Sequence, residues 1–164
     1  MAPRVYLSFH NKPDNWRAAQ VRDMGVVEGH RPATDDEWRE VRKGGDAAIR
    51  NWISDQISAQ SAALVLIGSR TSRRRWIHYV IREAWRTRKG LLGVYIHNLE
   101  DDYGAQSTKG RNPFDDFTVD GVTMSDIVKT YNPPLPKSAE VYDHIQEYLP
   151  DWLEEAVQTR ADYD

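Results

Sequence analysis

One segment of the chain combines hydroxyls, cations and an aromatic ring where a strand is expected to give way to a helix. Residues 69–79 read Ser-Arg-Thr-Ser-Arg-Arg-Arg-Trp-Ile-His-Tyr and follow a continuously apolar run. The first turn of a helix leaves backbone N–H groups unpaired, and these groups favour anions. Arginines beside Trp76 suit a phosphate that is joined to an aromatic base. The residues alone equally fit a plain helix start with a core tryptophan, which is the commoner arrangement.

Other chemistries lack their sequence signals. The chain has no G-x-G-x-x-G, G-x-x-x-x-G-K-[ST], H-E-x-x-H or G-x-S-x-G motif and no cysteine. Its histidines show no metal-binding spacing, so we expect no metal site and no bound cofactor; they are His10, His30, His78, His97 and His144. The first strand ends in Ser-Phe-His without an acidic pair, which argues against a phospho-relay receiver.

Apolar runs predict the elements that hold this segment. Residues 62–68 and 91–96 are continuously apolar, as in strands buried on both faces of a parallel sheet. Helical periodicity after Asp14, after Asp46 and over residues 76–88 places helices between the strands. The alternation predicts an α/β fold in which the strand at residues 4–9 lies beside strand 62–68, in a five-stranded, mainly parallel sheet. Residues 26–27 would form a short edge strand.

Ligands of such sheets bind beyond the carboxyl ends of the strands. The segments at those ends are residues 9–11, 68–70 and 97–98. Further along, residues 104–116 form a loop, and Asp120-Gly121 predicts a tight hairpin over residues 118–123. Residues 132–136 form a proline-rich linker to an amphipathic helix at 138–157, which Pro150 would break. We therefore divide the chain into a main domain, 1–131, and a C-terminal extension, 132–164, packed on it.

Composition limits the class of protein. A chain of 164 residues with a net charge of -3 is long enough for one packed domain and is not basic enough to suggest nucleic-acid binding. No apolar run approaches the roughly 20 residues that span a membrane. The start of the sequence lacks the apolar stretch of a signal peptide, and cysteine is absent, so we expect a cytoplasmic protein without a membrane partner.

Charge is unevenly distributed along the chain. Residues 70–89 hold eight basic residues and one acid, whereas residues 139–164 hold eight acids and one base. Two solvated helix faces would explain this pattern. Alternatively, a molecule with charges of +7 and -7 on different segments can stack head to tail.

Five collinear segments resemble one protein family. Residues 4–10, 65–71, 74–79, 93–97 and 109–115 are similar to the TIR-like family of the bacterial Thoeris antiphage-defence system, of the ThsB type. The similarity extends over residues 4–117, and its most specific parts are residues 68–79 and the Gly-x-Asn-Pro-Phe-Asp stretch.

The resemblance implies a flavodoxin-like fold and a chemistry. A family member would cleave the nicotinamide–ribose bond of NAD+ and convert the ADP-ribose part to a cyclic ADP-ribose-type messenger for a separate effector. NAD+ would be the substrate rather than a cofactor. Self-association, or contact with a partner TIR protein, is also implied. The implied nucleotide-binding positions are Ser8, Phe9, His10, Asn11, Ser69, Arg73, Trp76, Tyr79 and Val80.

The sequence departs from the family at the catalytic position. The resemblance implies a glutamate four residues after Trp76, where this chain has Val80. The next acid, Glu83, borders the same helix face and lies about 4.5 Å further along the axis. A carboxylate is needed because departure of nicotinamide leaves positive charge on the ribose. Two hypotheses follow: an NAD+-cleaving enzyme that uses Glu83, and a catalytically silent TIR-like module that acts by assembly.

Overall fold

The sheet and its covering helices were analysed in a computed structural model that describes residues 4–29 and 35–163. The strands are β1 (Arg4–Ser8), β2 (Glu28–Gly29), β3 (Ala62–Ile67), β4 (Gly90–Tyr95), β5 (Thr118–Val119), β6 (Val122–Thr123) and β7 (Thr130–Tyr131). The helices are α1 (Asn11–Arg22), α2 (Asp35–Lys43), α3 (Gly45–Ser58), α4 (Arg75–Arg86) and α5 (Ser138–Asp162).

Five strands form one parallel sheet in the order β2-β1-β3-β4-β7. The two apolar runs lie side by side at its centre, with Ala62 opposite Gly90, and β1 pairs on the other side of β3. This confirms the predicted placement of the three longest strands. The predicted hairpin is also confirmed, as the antiparallel pair β5–β6.

Side chains of the central strands alternate between two cores. Leu64 and Leu66 face a cluster with α1 and α5, whereas Val65 and Ile67 face a cluster with α3 and α4. Every residue of β3 is buried. The molecule is therefore a three-layer, flavodoxin-like α/β structure, with helices on both faces of the sheet.

Several predicted boundaries were wrong. Asp14 is not a helix cap, because α1 begins at Asn11 and Asp14 lies in its first turn. The edge strand falls at Glu28–Gly29 rather than at residues 26–27. Helix α2 and strand β7 had not been predicted. Only two of the nine residues of α2, Trp38 and Val41, are apolar; they are three positions apart and pack against the same core, but so short an apolar pattern is a weak helix signal in the sequence.

Helix α5 continues through Pro150 to Asp162, contrary to the expected break. Its buried residues Val141, Ile145, Leu149 and Leu153 recur every four positions and pack in the core shared with α1. This continuous apolar stripe keeps both halves of the helix on the sheet, although the proline removes one backbone donor. None of the described helices combines the length and the apolar character needed to span a lipid bilayer.

Candidate functional site

The carboxyl ends of β1, β3 and β4 bring the predicted site segments to one edge of the sheet. Strand β3 leads into a turn in which the Gly68 amide donates a hydrogen bond to Thr71 Oγ1 at 2.8 Å. Thr71 and Ser72 are buried, whereas Arg73, Arg74 and Arg75 are exposed at the start of α4. The turn is therefore anchored by its hydroxyl residues and presents its cations to solvent.

An open cleft of about 490 Å³ lies beside this turn. One wall is the β3–α4 turn and the other is the loop that follows β4; the lining residues are Ser69, Arg70, Ser72, Arg73, Lys109, Gly110 and Arg111. Lys109 Nζ lies 4.9 Å from the centre of the Tyr95 ring. Arg111 forms an ion pair with Asp116. The cleft therefore offers hydroxyls and cations, a lining suited to an anionic ligand.

The loop that carries Lys109 is tied to α1 by one buried arginine. Arg17 donates from Nε to the Leu99 carbonyl at 2.7 Å and from Nη2 to the Ala105 carbonyl at 2.8 Å. Nearer the cleft, a Cβ on Gly110 would lie 2.1 Å from the Gly68 carbonyl oxygen, so the two walls touch through their backbones. Only glycine permits this approach.

A buried carboxylate, that of Asp14, packs against Gly68 at the start of the turn. Asp14 is 1% exposed, and its Oδ1 accepts a hydrogen bond from Arg17 Nη1 at 2.9 Å. Its Oδ2 makes no hydrogen bond within the described residues and lies 2.0 Å from where a Gly68 Cβ would stand. Burial raises the pKa of the Asp14 carboxyl, and the hydrogen bond and charge of Arg17 oppose that shift.

The pKa values of two histidines at the strand ends, His10 and His97, are also shifted. Burial lowers the pKa of His10, and the charges of Arg74 and Arg70 lower it further. Burial lowers the pKa of His97, with smaller contributions from Lys109 and Arg17. The Nδ1 atoms of both rings make no hydrogen bond in the part of the chain that the structure describes. Both imidazoles are therefore held neutral beside cations.

The predicted nucleotide-binding residues are only partly assembled at the cleft. Ser69 and Arg73 line it. The others lie at the end of β1 (Ser8, Phe9, His10), at the start of α1 (Asn11), or along α4 (Trp76, Tyr79, Val80). Among these, Ser8 is buried, Phe9 packs against the core, and Asn11 is exposed.

Trp76, Tyr79 and Val80 on α4 are not among the residues that line the cleft. The Trp76 ring makes an edge contact with Tyr79, with ring centroids 6.0 Å apart. The Tyr79 hydroxyl shares a 2.7 Å hydrogen bond with Ser54 Oγ on α3. Val80 is 2% exposed and packs in the core with Ile77 and Ile81. Tyr79 and Val80 thus join α4 to the layers beneath it.

Glu83, the acid that borders the same helix face as the missing glutamate, is buried. Its side chain is 8% exposed, and its two oxygens accept hydrogen bonds from Arg86 Nε and Nη2 at 2.9 and 3.0 Å. It lies eight residues beyond the first residue of α4, about 12 Å along the helix axis. Glu83 is thus absent from the cleft lining.

Sequence reasoning missed four residues that build the cleft or its support: Asp14, Arg17, Lys109 and Arg111. A signal existed for two of them, because Lys109 and Arg111 lie in one of the segments that resemble the family. No comparable signal marked the Asp14–Arg17 pair, whose importance arises from burial. Over residues 4–29 and 35–163, no cluster of three or more histidine, aspartate or glutamate side chains could hold a metal ion.

Comparison with known proteins identifies the family. Residues 6–101 match the family model described as Thoeris protein ThsB, TIR-like domain. The chain is 33% identical over 120 residues to a Bacillus cereus (strain MSX-D12) protein named putative cyclic ADP-D-ribose synthase ThsB1. The match covers 70% of this chain and 62% of that relative. The residues matched by the family model include the β3–α4 turn and the buried pair Asp14–Arg17, and the chain belongs to the Thoeris ThsB TIR-like family.

Proposed function

We propose that this protein cleaves the nicotinamide–ribose bond of NAD+ and converts the ADP-ribose part to a cyclic ADP-ribose-type messenger. The messenger would activate a separate effector in defence against phage, and the reaction would take place in the cytoplasm. The cationic cleft at the carboxyl edge of the sheet is the observation that carries this proposal, because it suits the diphosphate of a dinucleotide. The name of the Bacillus cereus relative, putative cyclic ADP-D-ribose synthase, supports the same chemistry.

The proposed reaction needs a group that stabilises positive charge on the ribose. Nicotinamide leaves with the electron pair of the broken bond, and a nucleophile of the adenine ring or a water then attacks the anomeric carbon. A carboxylate beside that carbon lowers the barrier. Val80 supplies none, so the carboxylate must come from elsewhere in the site.

Two buried carboxylates are candidates. Glu83 is the one predicted from the sequence, and its use requires Arg86 to release it, since both oxygens are bound to that side chain. Asp14 is the alternative that the structure adds. It lies behind Gly68, next to the cleft residue Ser69, and one of its oxygens makes no hydrogen bond within the described chain. Binding of substrate would have to open the Gly68 turn to expose it.

The test is nicotinamide release from NAD+ by the purified full chain, followed by chromatography. Glu83→Gln and Asp14→Asn each remove one charge with little change of shape, and Glu147→Gln, on the exposed face of α5, is the matched control. We expect release by the native protein and by Glu147→Gln. Loss of at least about a hundredfold in one buried variant, with its circular dichroism unchanged, identifies the working carboxylate.

Two observations favour a second candidate function, a silent module that acts by assembly with itself or with a partner TIR protein. Val80 is part of the core, and Glu83 is held in an ion pair away from the cleft lining. For this candidate, the folded native protein releases no nicotinamide and Glu83→Gln changes nothing in any assay. That pair of results would reject the enzyme.

A further inference from the structure

The cleft carries more positive charge than the diphosphate of NAD+ can neutralise. Four of its seven lining residues are cations, namely Arg70, Arg73, Lys109 and Arg111. Asp116 neutralises Arg111 from outside the lining. Arg70 and Arg73 form no ion pair within the described residues, and Lys109 rests on a neutral tyrosine ring. About three positive charges therefore remain for a ligand.

The net negative charge of NAD+ is too small to balance these three positive charges. Its diphosphate carries two negative charges, and its nicotinamide ring carries a positive one. A phosphate monoester adds about 1.5 to 2 negative charges near neutral pH, together with three strong acceptor oxygens. A dinucleotide with such a group would balance the three free cations, and guanidinium groups bind phosphate through paired hydrogen bonds.

On the basis of the proposed function, we infer that the cleft selects a nicotinamide dinucleotide that is phosphorylated on a ribose hydroxyl, with Arg73 and Lys109 binding the additional phosphate from opposite walls. Arg73 stands on the β3–α4 turn and Lys109 on the loop after β4, so a ligand between them is held from both sides. The phosphorylated substrate would be cleaved at the same nicotinamide–ribose bond.

The walls are already fixed in position, so little ordering is required on binding. Thr71 and Ser72 anchor the first wall in the core. The second wall is held by the two carbonyl contacts of Arg17 and by the backbone contact of Gly110 with Gly68. The backbone that carries Arg73 and Lys109 is thus ordered before binding, so a ligand has to order only the two side chains, and less binding energy is lost.

A nucleic-acid ligand fits the same residues less well. The lining holds no aromatic side chain on which bases could stack, and the protein has a net charge of -3. The cationic patch is limited to one cleft of about 490 Å³, which suits a small phosphorylated ligand rather than a polymer backbone.

The experiment compares two ligands that lack nicotinamide, ADP-ribose and its 2′-phosphate, by calorimetric titration of the full chain. Binding is then measured without catalysis. We expect the phosphorylated ligand to bind at least about tenfold more tightly in 0.1 M salt, and the ratio to fall as salt screens the charges. Arg73→Gln and Lys109→Gln should each reduce the ratio. Arg50→Gln, an exposed cation on α3 outside the cleft, should leave it unchanged.

The exposed positions of Arg73 and Lys109 make misfolding of these variants a minor concern, and circular dichroism checks it. Equal affinity for the two ligands, no binding of either one, or a ratio that neither variant changes would overturn the inference. Nicotinamide release is measured separately, so a catalytically silent protein that prefers the phosphorylated ligand would reject the proposed activity and keep this selectivity.

Discussion

Arg17 and Asp14 form a buried ion pair one helical turn apart, with side chains 4% and 2% exposed and a nitrogen–oxygen distance of 2.9 Å. The same guanidinium holds the loop after β4 through the carbonyls of Leu99 and Ala105. One side chain thus connects the first helix, the support of the Gly68 turn and the wall of the cleft that carries Lys109.

Replacement of Arg17 by methionine should destabilise the protein strongly. The change leaves the Asp14 charge buried without a partner, and loss of one member of such a pair costs about 3–5 kcal/mol. Urea denaturation, monitored by circular dichroism, measures this loss of unfolding free energy. Arg39→Met, which breaks the exposed pair with Asp36, is the control and should change stability little. Stability equal to that of the native protein in Arg17→Met would show that the pair contributes nothing.

Gly68→Ala should cost about 1–3 kcal/mol, because its Cβ would collide with Asp14 Oδ2 at 2.0 Å. The double variant with Asp14→Ala removes the colliding atom, so the cost of the glycine replacement should be smaller in that background. Chemical denaturation of the native protein, the two single variants and the double variant gives the coupling free energy between the two positions. Strictly additive effects would mean that the two side chains do not meet.

Val80→Glu should unfold the protein or destabilise it by several kcal/mol, because a carboxyl group at a position that is 2% exposed loses its hydration without gaining a partner. Val157→Glu, at a position on α5 that is 40% exposed, is the matched control and should be tolerated. Thermal unfolding distinguishes the two. A stable Val80→Glu variant that releases nicotinamide faster than the native protein would instead place this position in the substrate site.

Stability should fall as the pH drops from 7.5 to 5.5. The pKa values of His10 and His97 are lower in the folded protein than the ordinary value near 6.5, so the unfolded chain binds protons first in this range. The raised pKa of Asp14 acts in the opposite direction, because the folded state then gains the proton first. Comparison of variants therefore isolates the histidine contribution.

His97→Gln removes the buried imidazole and should flatten the dependence of the unfolding free energy on pH. Asn51→Gln, an exposed change on α3 that alters no titrating group, serves as the control and should keep the native slope. Guanidinium denaturation at four or five pH values measures the slopes. Parallel curves for the native protein and His97→Gln would exclude His97 from the effect.

Self-association should weaken with salt. The turn before α4 presents Arg73 and Arg74, and exposed acids on α5 include Glu147, Asp151 and Glu154. Screening shortens the range of such attraction from about 10 Å at 0.1 M salt to about 3 Å at 1 M. Sedimentation velocity should show larger species at low salt, and fewer of them when Asp151 is changed to lysine. A monomer at low salt and high concentration would contradict the head-to-tail hypothesis.

Local signals in the sequence were sufficient for much of the fold. Strands β3 and β4 could be predicted because their apolar runs are continuous, and the hairpin because Asp120-Gly121 fits a turn with positive φ at both residues. Each signal depends on residues that are neighbours in the chain. The apolar stripe of α5 was visible for the same reason, although its passage through Pro150 depends on packing against the sheet.

The environment of the charged residues was decided only by the tertiary structure. Aspartate is a residue type that commonly caps helices, yet Asp14 is buried by the approach of Gly68 and Arg17. Glu83 has the spacing of a substitute for a missing glutamate, yet its burial and its bond with Arg86 hold it away from the cleft lining. Arg73 and Lys109 are 36 positions apart and share one cleft because their strands are neighbours. Burial and charge pairing depend on segments distant in the chain, and no local pattern records them.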